Sequence, residues 1–243
     1  MNNSTLTAVG IHKRFGRKCV LDGLDFRLAD GQVTVLLGAN GEGKSTFLRL
    51  ALGMLKAERG TLEVVGYDPV RKPKPVRRAI GYVPDKPDAY DWMTPRDLYR
   101  FLEPQYPTWN ADVVERLVQS LDVPMTTSFK GLSRGEGMKA MLVAALAHEP
   151  ELLLLDEPFA GLDPLVREDV LRGIITELRE GERTVLCTTH DLDVAGRIAD
   201  RVAILSRGRI VAHGTLEEVL DTSEEPVRVP ERLREAMREV TVA

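Results

Sequence analysis

Cysteine is almost missing from this sequence of 243 residues: Cys19 and Cys187 stand far apart and in no C-x-x-C pattern. A disulfide framework and a cysteine zinc site are thereby excluded, and both thiols are expected in the core of a protein kept in a reducing compartment. A basic excess is missing too. The 33 Lys and Arg face 37 Asp and Glu, a formal charge of −4, whereas a nucleic-acid surface needs a clustered positive excess. No nucleic-acid partner is expected. Long apolar runs are the third absence. The longest, AMLVAALA at 140–147, falls far short of the roughly 18–20 residues needed to span a bilayer. The opening MNNSTLTAVGIHKRF lacks the apolar core, about 7–15 residues long, of a signal peptide. The chain is therefore expected in the cytoplasm, with any membrane role exercised through a partner.

What is present is an ordered succession of strands and helices. Alternation in TLTAVGI (5–11) and the run QVTVLLG (32–38) predict strands, the second buried on both faces. A helix is predicted over 44–55, and strands over TLEVVG (61–66) and AIGYVP (79–84). From Asp85 to about Pro150 the pattern turns helical. Thr94-Pro95 reads as a helix start, and Asn110 caps a helix with Val113, Val114, Leu117 and Leu121 on one face. A further helix carries Met138, Met141, Leu142, Ala145 and Leu146 on its apolar face. Strand signals return at ELLLLDE (151–157), TVLCTTH (184–190) and VAILSRGRIVAHG (202–214), with helices over about 164–180 and 192–199. The charged tail beyond Gly214 is helical in pattern, broken at Pro226 and Pro230. Strands alternating with helices around a helical insert predict an α/β fold with a mostly parallel sheet.

GANGEGKST at 38–46 fits G-x-x-x-x-G-K-[ST] and lies between a predicted buried strand and a predicted helix. Gly38, Gly41 and Gly43 let the backbone curl so that its N–H groups point at phosphate oxygens. Lys44 supplies the countercharge for the β and γ phosphates, Ser45 a hydroxyl for Mg²⁺, and the helix its positive end. LLLLDEP at 152–158 places two carboxylates at the carboxyl end of an apolar strand, where open α/β sheets bind ligands. Asp156 can hold Mg²⁺ through water, and Glu157 can polarise a water for attack on the γ-phosphate. His190 ends TVLCTTH at the same sheet edge, positioned to orient that phosphate and the attacking water. Asp163, in FAGLDP, is by itself an ordinary turn or cap aspartate. GLSRGE at 131–136 forms a small, backbone-rich turn ahead of an apolar helix, and Ser133-x-x-Glu136 also reads as a capping box.

In motif order and spacing over residues 5–215, the chain resembles the ATP-binding subunits of ABC transporters. Phe15 in KRFG matches the aromatic that stacks on adenine. GANGEGKST, with Gly38, Ala39, Asn40, Gly41, Glu42, Gly43, Lys44, Ser45 and Thr46, matches the Walker A loop, and LLLLDEP the Walker B strand. GLD with Asp163 matches the D-loop, His190 the switch histidine, and GLSRGE (Ser133, Arg134, Gly135, Glu136) the family signature, usually LSGGQ. The resemblance implies a P-loop NTPase core with a mostly parallel sheet, an antiparallel β subdomain and an inserted helical subdomain. It implies a nucleotide-binding domain over 1–220, an insert over about 85–150, and a charged tail at 221–243. ATP and Mg²⁺ are the implied cofactors, and an ATPase of bacterial export type the implied activity. The implied partners are a second ATP-binding subunit, identical or a paralogue, and an integral membrane subunit whose short helix docks against residues 84–109. Each nucleotide is then shared between one chain's phosphate loop and the other chain's signature turn, at the inner face of the cell membrane. For Trp109 local packing in the insert is an equal reading.

Three positions depart from the family pattern. Asp85 stands where glutamine is usual after GYVP, and as a carboxylate it can still ligate a hard cation. Arg134 replaces the first signature glycine, and Glu136 the glutamine. Glu42 lies between loop glycines where a small residue is usual; it is expected to turn outward and pair with Arg134 of a second chain. Two other classes compete with a transporter subunit. One is a superfamily ATPase in a cytosolic assembly complex; the other is a nucleotide kinase, which needs a second substrate pocket and has no use for a signature turn.

Overall fold

The computed structural model describes residues 4–181 and 183–220; the tail read at 221–243 lies outside the described residues. Strand β1 (Ser4–Phe15) turns back into β2 (Lys18–Ala29), and β4 (Arg59–Val64) pairs with the other edge of β1, making a three-stranded antiparallel sheet. β2 is absent from the sequence reading, although Leu24, Phe26 and Leu28 alternate inward while Asp25 and Arg27 face out. This period-2 pattern is interrupted by Gly23, where the alternation slips.

The second sheet has the order β5-β6-β7-β3-β8-β9. Here β5 spans Ile80–Val83, β6 Leu152–Asp156, β7 Thr184–Thr189, β3 Val33–Leu37, β8 Arg201–Ser206 and β9 Arg209–Thr215. All neighbours are parallel except β8 and β9. The run 202–214 is therefore a hairpin, not one strand. Arg207 (φ 50°) and Gly208 (φ 75°) form its two-residue turn, whose positive φ at both places suits the twist of the flanking strands.

Every residue of β3 and β6 is buried, because layers cover both faces of the sheet. Leu36, Leu152 and Leu154 pack with β1, β2 and Phe47 of helix α1 (Lys44–Ala51). Val35, Leu37, Leu153 and Leu155 face the other way, onto the helical side. That side carries α3 (Pro95–Leu102), α4 (Ala111–Ser120) and α5 (Arg134–Leu146), with α6 (Pro164–Gly181) and α7 (Leu192–Ile198) completing the layer. Helix α2 (Pro73–Ala79), unread in the sequence, leads into β5, and α8 (Leu216–Leu220) follows β9. The fold is α/β, as expected: a mostly parallel P-loop core, an antiparallel sheet and a helical insert.

The predicted caps are present. Thr94 and Asp97 form a capping box at α3, Asn110 Oδ1 accepts from the amides of Asp112 and Val113, and Pro95 occupies the first turn of α3. Each cap satisfies amides that have no partner inside the helix. Cys187 is buried, whereas Cys19, expected in the core, is exposed. It stands before the inward alternation of β2 begins, so its side chain has no layer to enter.

Candidate active site

The parallel strands all end at one edge, and the reactive side chains collect there. After β3 the chain curls through residues 38–43 into α1, whose N-cap is Gly43 with φ 110°. A Cβ at Gly43 would lie 2.8 Å from Leu21 Cδ2, so both conformation and space demand glycine. Lys44 follows as the first residue of α1 and is only 5% exposed. Its Nζ donates to the oxygens of Gly38 at 2.6 Å and Ala39 at 3.2 Å. It also lies 3.0 Å from Glu157 Oε1, a pairing of charges rather than an aligned hydrogen bond.

Strand β6 delivers Asp156 and, one residue on, Glu157. Asp156 Oδ1 accepts from Ser45 Oγ at 3.0 Å and from Thr188 Oγ1 at 2.8 Å. Burial pushes the Asp156 carboxyl above the usual aspartate range; the two hydroxyl donors oppose this, and the charges of Asp85 and Glu157 add to it. Glu157 adopts φ 48°, a backbone region seldom used by side-chain-bearing residues and found at functional turns. Its amide donates to Thr188 Oγ1 and O, each at 3.1 Å, which holds this turn to β7. Its Oε2 then meets His190 Nδ1 at 2.9 Å. Thr188 was not singled out in the sequence. A threonine directly opposite Asp156 in the parallel register is the signal for it, and that register belongs to the fold.

Lys44, Ser45, Glu157 and His190 line a cleft of about 540 Å³ together with Phe15, Asn40, Thr46 and Asp85. Phe15 is half-exposed at the end of β1, with Lys13 Nζ 5.3 Å from its ring centre. Glu42 turns away from the cleft as expected, but its carboxylate accepts from the Arg207 amide of the same chain. Arg134 is engaged within its own chain as well. Its guanidinium lines its own chain's cleft, where Nη2 donates to the Asp85 main-chain oxygen at 2.8 Å. Both side chains are thus engaged within their own chain, and a pair between Glu42 and a second chain's Arg134 would have to replace these two contacts. Ser133 and Glu136 form the capping box of α5: Ser133 N donates to Glu136 Oε2 at 2.7 Å, and Glu136 N to Ser133 Oγ at 3.3 Å. Asp163 Oδ1 accepts from the Leu165 amide at 2.9 Å, capping α6. Neither Ser133 nor Asp163 reaches the cleft of its own chain.

A second concavity of about 680 Å³, mostly apolar, lies between β5 and the helical insert. Tyr90 and Trp92 stack at its rim, ring centres 5.9 Å apart and 12° from parallel. Trp109 instead packs against the core of the insert, 6.5 Å from Tyr99.

Hard oxygen donors converge beside the phosphate loop: the Ser45 hydroxyl on the Asp156 carboxylate, with Asp85 close enough to affect its charge. Among the described residues there is no group of three or more His, Cys, Asp or Glu side chains able to cage a metal. That donor set fits Mg²⁺ held largely by water and phosphate. A glycine loop, a buried lysine at a helix start and two carboxylates at a parallel sheet edge together define a P-loop nucleoside triphosphatase.

The ABC transporter family matches residues 21–160, and the chain belongs to that family of ATP-binding ATPases. An AAA domain (putative AbiEii toxin, type IV TA system) also matches residues 126–195. The sulfate/thiosulfate import ATP-binding protein CysA of Mycolicibacterium paratuberculosis is 37% identical over 89% of this chain. The chain spans 61% of that relative's length. The daunorubicin resistance ATP-binding protein DrrA3 of Streptomyces coeruleorubidus is 35% identical over 90% of this chain and 71% of its own. Among solved structures, an ATP-binding subunit of an ABC transporter superposes with a TM-score of 0.84 at 28% identity, covering 98% of this chain and 99% of its own. The dimeric ATP-binding cassette MJ0796, bound to ADP and Pi, shares the fold with a TM-score of 0.75 at 20% identity, over 86% of this chain and 98% of its own.

Proposed function

We propose that the chain hydrolyses ATP to drive an ABC transporter of export type. It works as a dimer, with an identical copy or a paralogue, and couples to a separate integral membrane subunit at the inner face of the cell membrane. The observation that carries the reading is the convergence on Glu157: Lys44 on one carboxylate oxygen, His190 on the other. Phosphate binding at Lys44 competes with the Lys44–Glu157 pair and frees Oε1 for a water. That water attacks the γ-phosphorus, its proton passes to Glu157, and the bond to the β-phosphate oxygen breaks to leave ADP and phosphate. His190 holds the carboxylate in place through Nδ1. Ser45 and Asp156 would hold Mg²⁺, which supplies charge neutralisation at the phosphates when bound.

The signature turn supports a shared nucleotide. Ser133, the amides opening α5 and the helix's positive end would make an anion site for a second chain's nucleotide, and Ser133 does not line the chain's own cleft. The apolar groove supports coupling. Trp92 is 70% and Tyr90 69% exposed at its rim, the chemistry that receives an amphipathic helix. The export direction rests on LSRG at 132–135 and on Asp85 alone.

Glu157→Gln keeps the site's shape and removes the base. With ATP and Mg²⁺ this variant should sediment as a dimer, and with ADP as a monomer. A variant that binds ATP tightly yet stays monomeric overturns the shared-nucleotide reading.

A further inference from the structure

The lack of a membrane-spanning run pointed to a membrane role exercised through a partner, yet one surface of this net acidic chain is strongly basic. Arg71, Lys72, Lys74, Arg77 and Arg78 fall within eight positions, and no acid occurs between Pro69 and Pro84. The protein as a whole is at −4, so the remainder carries the entire negative excess. Helix α2 organises this cluster. Lys74, Arg77 and Arg78 are spaced i, i+3, i+4 and share one exposed face, while Val76 is buried on the opposite side. Arg71 is partly matched by Asp68, 3.5 Å away. Lys72, Lys74 and Arg78 form no ion pair among the described residues.

The cluster adjoins the apolar groove. Arg77 donates through Nε to the Leu52 oxygen at 3.3 Å and lines the groove beside Met54, Tyr90, Trp92 and Phe101. Those four side chains are 57–70% exposed. Basic side chains next to exposed Trp, Tyr and Phe make an interfacial composition: the cations meet anionic headgroups while the rings settle at the polar–apolar boundary. A second basic stretch, Lys13, Arg14, Arg17 and Lys18, borders the nucleotide cleft at Phe15 and Lys18. The α2 face differs from it in joining its cations to an exposed Trp and Tyr rim, which favours approach to an anionic surface by this face.

We propose that the face formed by α2 and the groove rim binds anionic lipid headgroups directly, so that the chain is oriented on the membrane before a protein partner engages the groove. The proposal rests on the coupling reading only for the identity of the groove's later occupant; vesicles free of protein test the lipid contact alone. Each Lys or Arg near such a surface multiplies the partition by roughly fivefold.

The full chain is mixed with vesicles of phosphatidylcholine containing about 30% phosphatidylglycerol, or none, and bound protein is read by cosedimentation. Tryptophan emission is followed in parallel. Binding to the anionic vesicles only, reversed by salt, with a blue shift lost in Trp92→Phe, is the expected result. Lys72→Glu, Lys74→Glu and Arg78→Glu combined should lower the partition more than tenfold. The same triple variant should keep its ATP-dependent dimer in the Glu157→Gln background, which separates this proposal from the shared-nucleotide reading. Equal binding to both vesicles, no binding to either, undiminished binding by the triple variant, or capture of a duplex oligonucleotide but no vesicle each overturns the lipid contact.

Discussion

Arg134 Nη2 donates to the main-chain oxygen of Asp85 at 2.8 Å, so two positions that depart from the family pattern meet in one contact. The bond ties the start of α5 to the segment leaving β5, and so couples the helical insert to the cleft edge. It also brings a cation to a place where Asp85, Asp156 and Glu157 gather negative charge. Because the acceptor is main chain, the tie depends on residue 134 and not on the side chain of residue 85.

Arg134→Ala should therefore loosen residues 85–90, while Asp85→Gln should leave them as they are. Hydrogen exchange of those amides is the measurement. Arg134 is exposed, so the tie contributes about 1 kcal/mol or less and protection should fall by roughly fivefold or less. Equal protection in wild type and Arg134→Ala would show that the contact holds nothing.

His190 touches Glu157 and no other described side chain through Nδ1. His190→Ala should lower kcat by about 10²-fold while ATP affinity stays nearly constant, since positioning of the base is lost and the phosphate loop is not. Single-turnover hydrolysis beside equilibrium ATP binding distinguishes the two. A parallel loss of affinity would place His190 on the nucleotide instead.

Asp156 is 1% exposed, and burial raises its carboxyl above the ordinary aspartate value of 3.8. The folded protein then binds this proton more tightly than the unfolded chain does. Its contribution to stability accordingly falls as pH rises from 3.8 through the raised folded value, and the full cost stands above that. Asp156→Asn retains an oxygen acceptor for Ser45 and Thr188 without the charge. It should unfold later at neutral pH, by roughly 0.5–2 kcal/mol, with the advantage vanishing in acid, and should hydrolyse no ATP. Urea melts across pH test the sign.

Gly135 has a second constraint besides any ligand. A Cβ there would lie 2.1 Å from Val166 Cγ1 of α6. Gly135→Ala should cost about 1–3 kcal/mol through overpacking, and adding Val166→Ala should recover most of it. If the double variant melts normally but fails to dimerise with ATP, the anion site needs the bare backbone. If it also dimerises, glycine serves packing alone.

Much of the site was legible because its signals are local. A glycine loop between a buried strand and a helix, two acids ending an all-leucine strand, and a histidine ending another each need only a few neighbouring residues to be recognised. The helix caps at Thr94, Asn110 and Ser133 are local in the same sense, since side chain and amide are two or three residues apart. β2 was missed where Gly23 breaks the alternation, and Cys19 was misplaced with it.

By itself, then, the sequence determined most of the strands and helices, β2 and α2 excepted, and which short runs carry phosphate chemistry, because periodicity and capping act over a few residues. Tertiary structure alone decided that Thr188 stands beside Asp156, that Glu42 bonds Arg207, and that Arg134 bends to Asp85. It also joined the bases of α2 to the aromatic rim of the groove. Those partners are 32, 165 and 49 positions apart. Sheet order and layer packing bring them together, and no local pattern encodes such proximity.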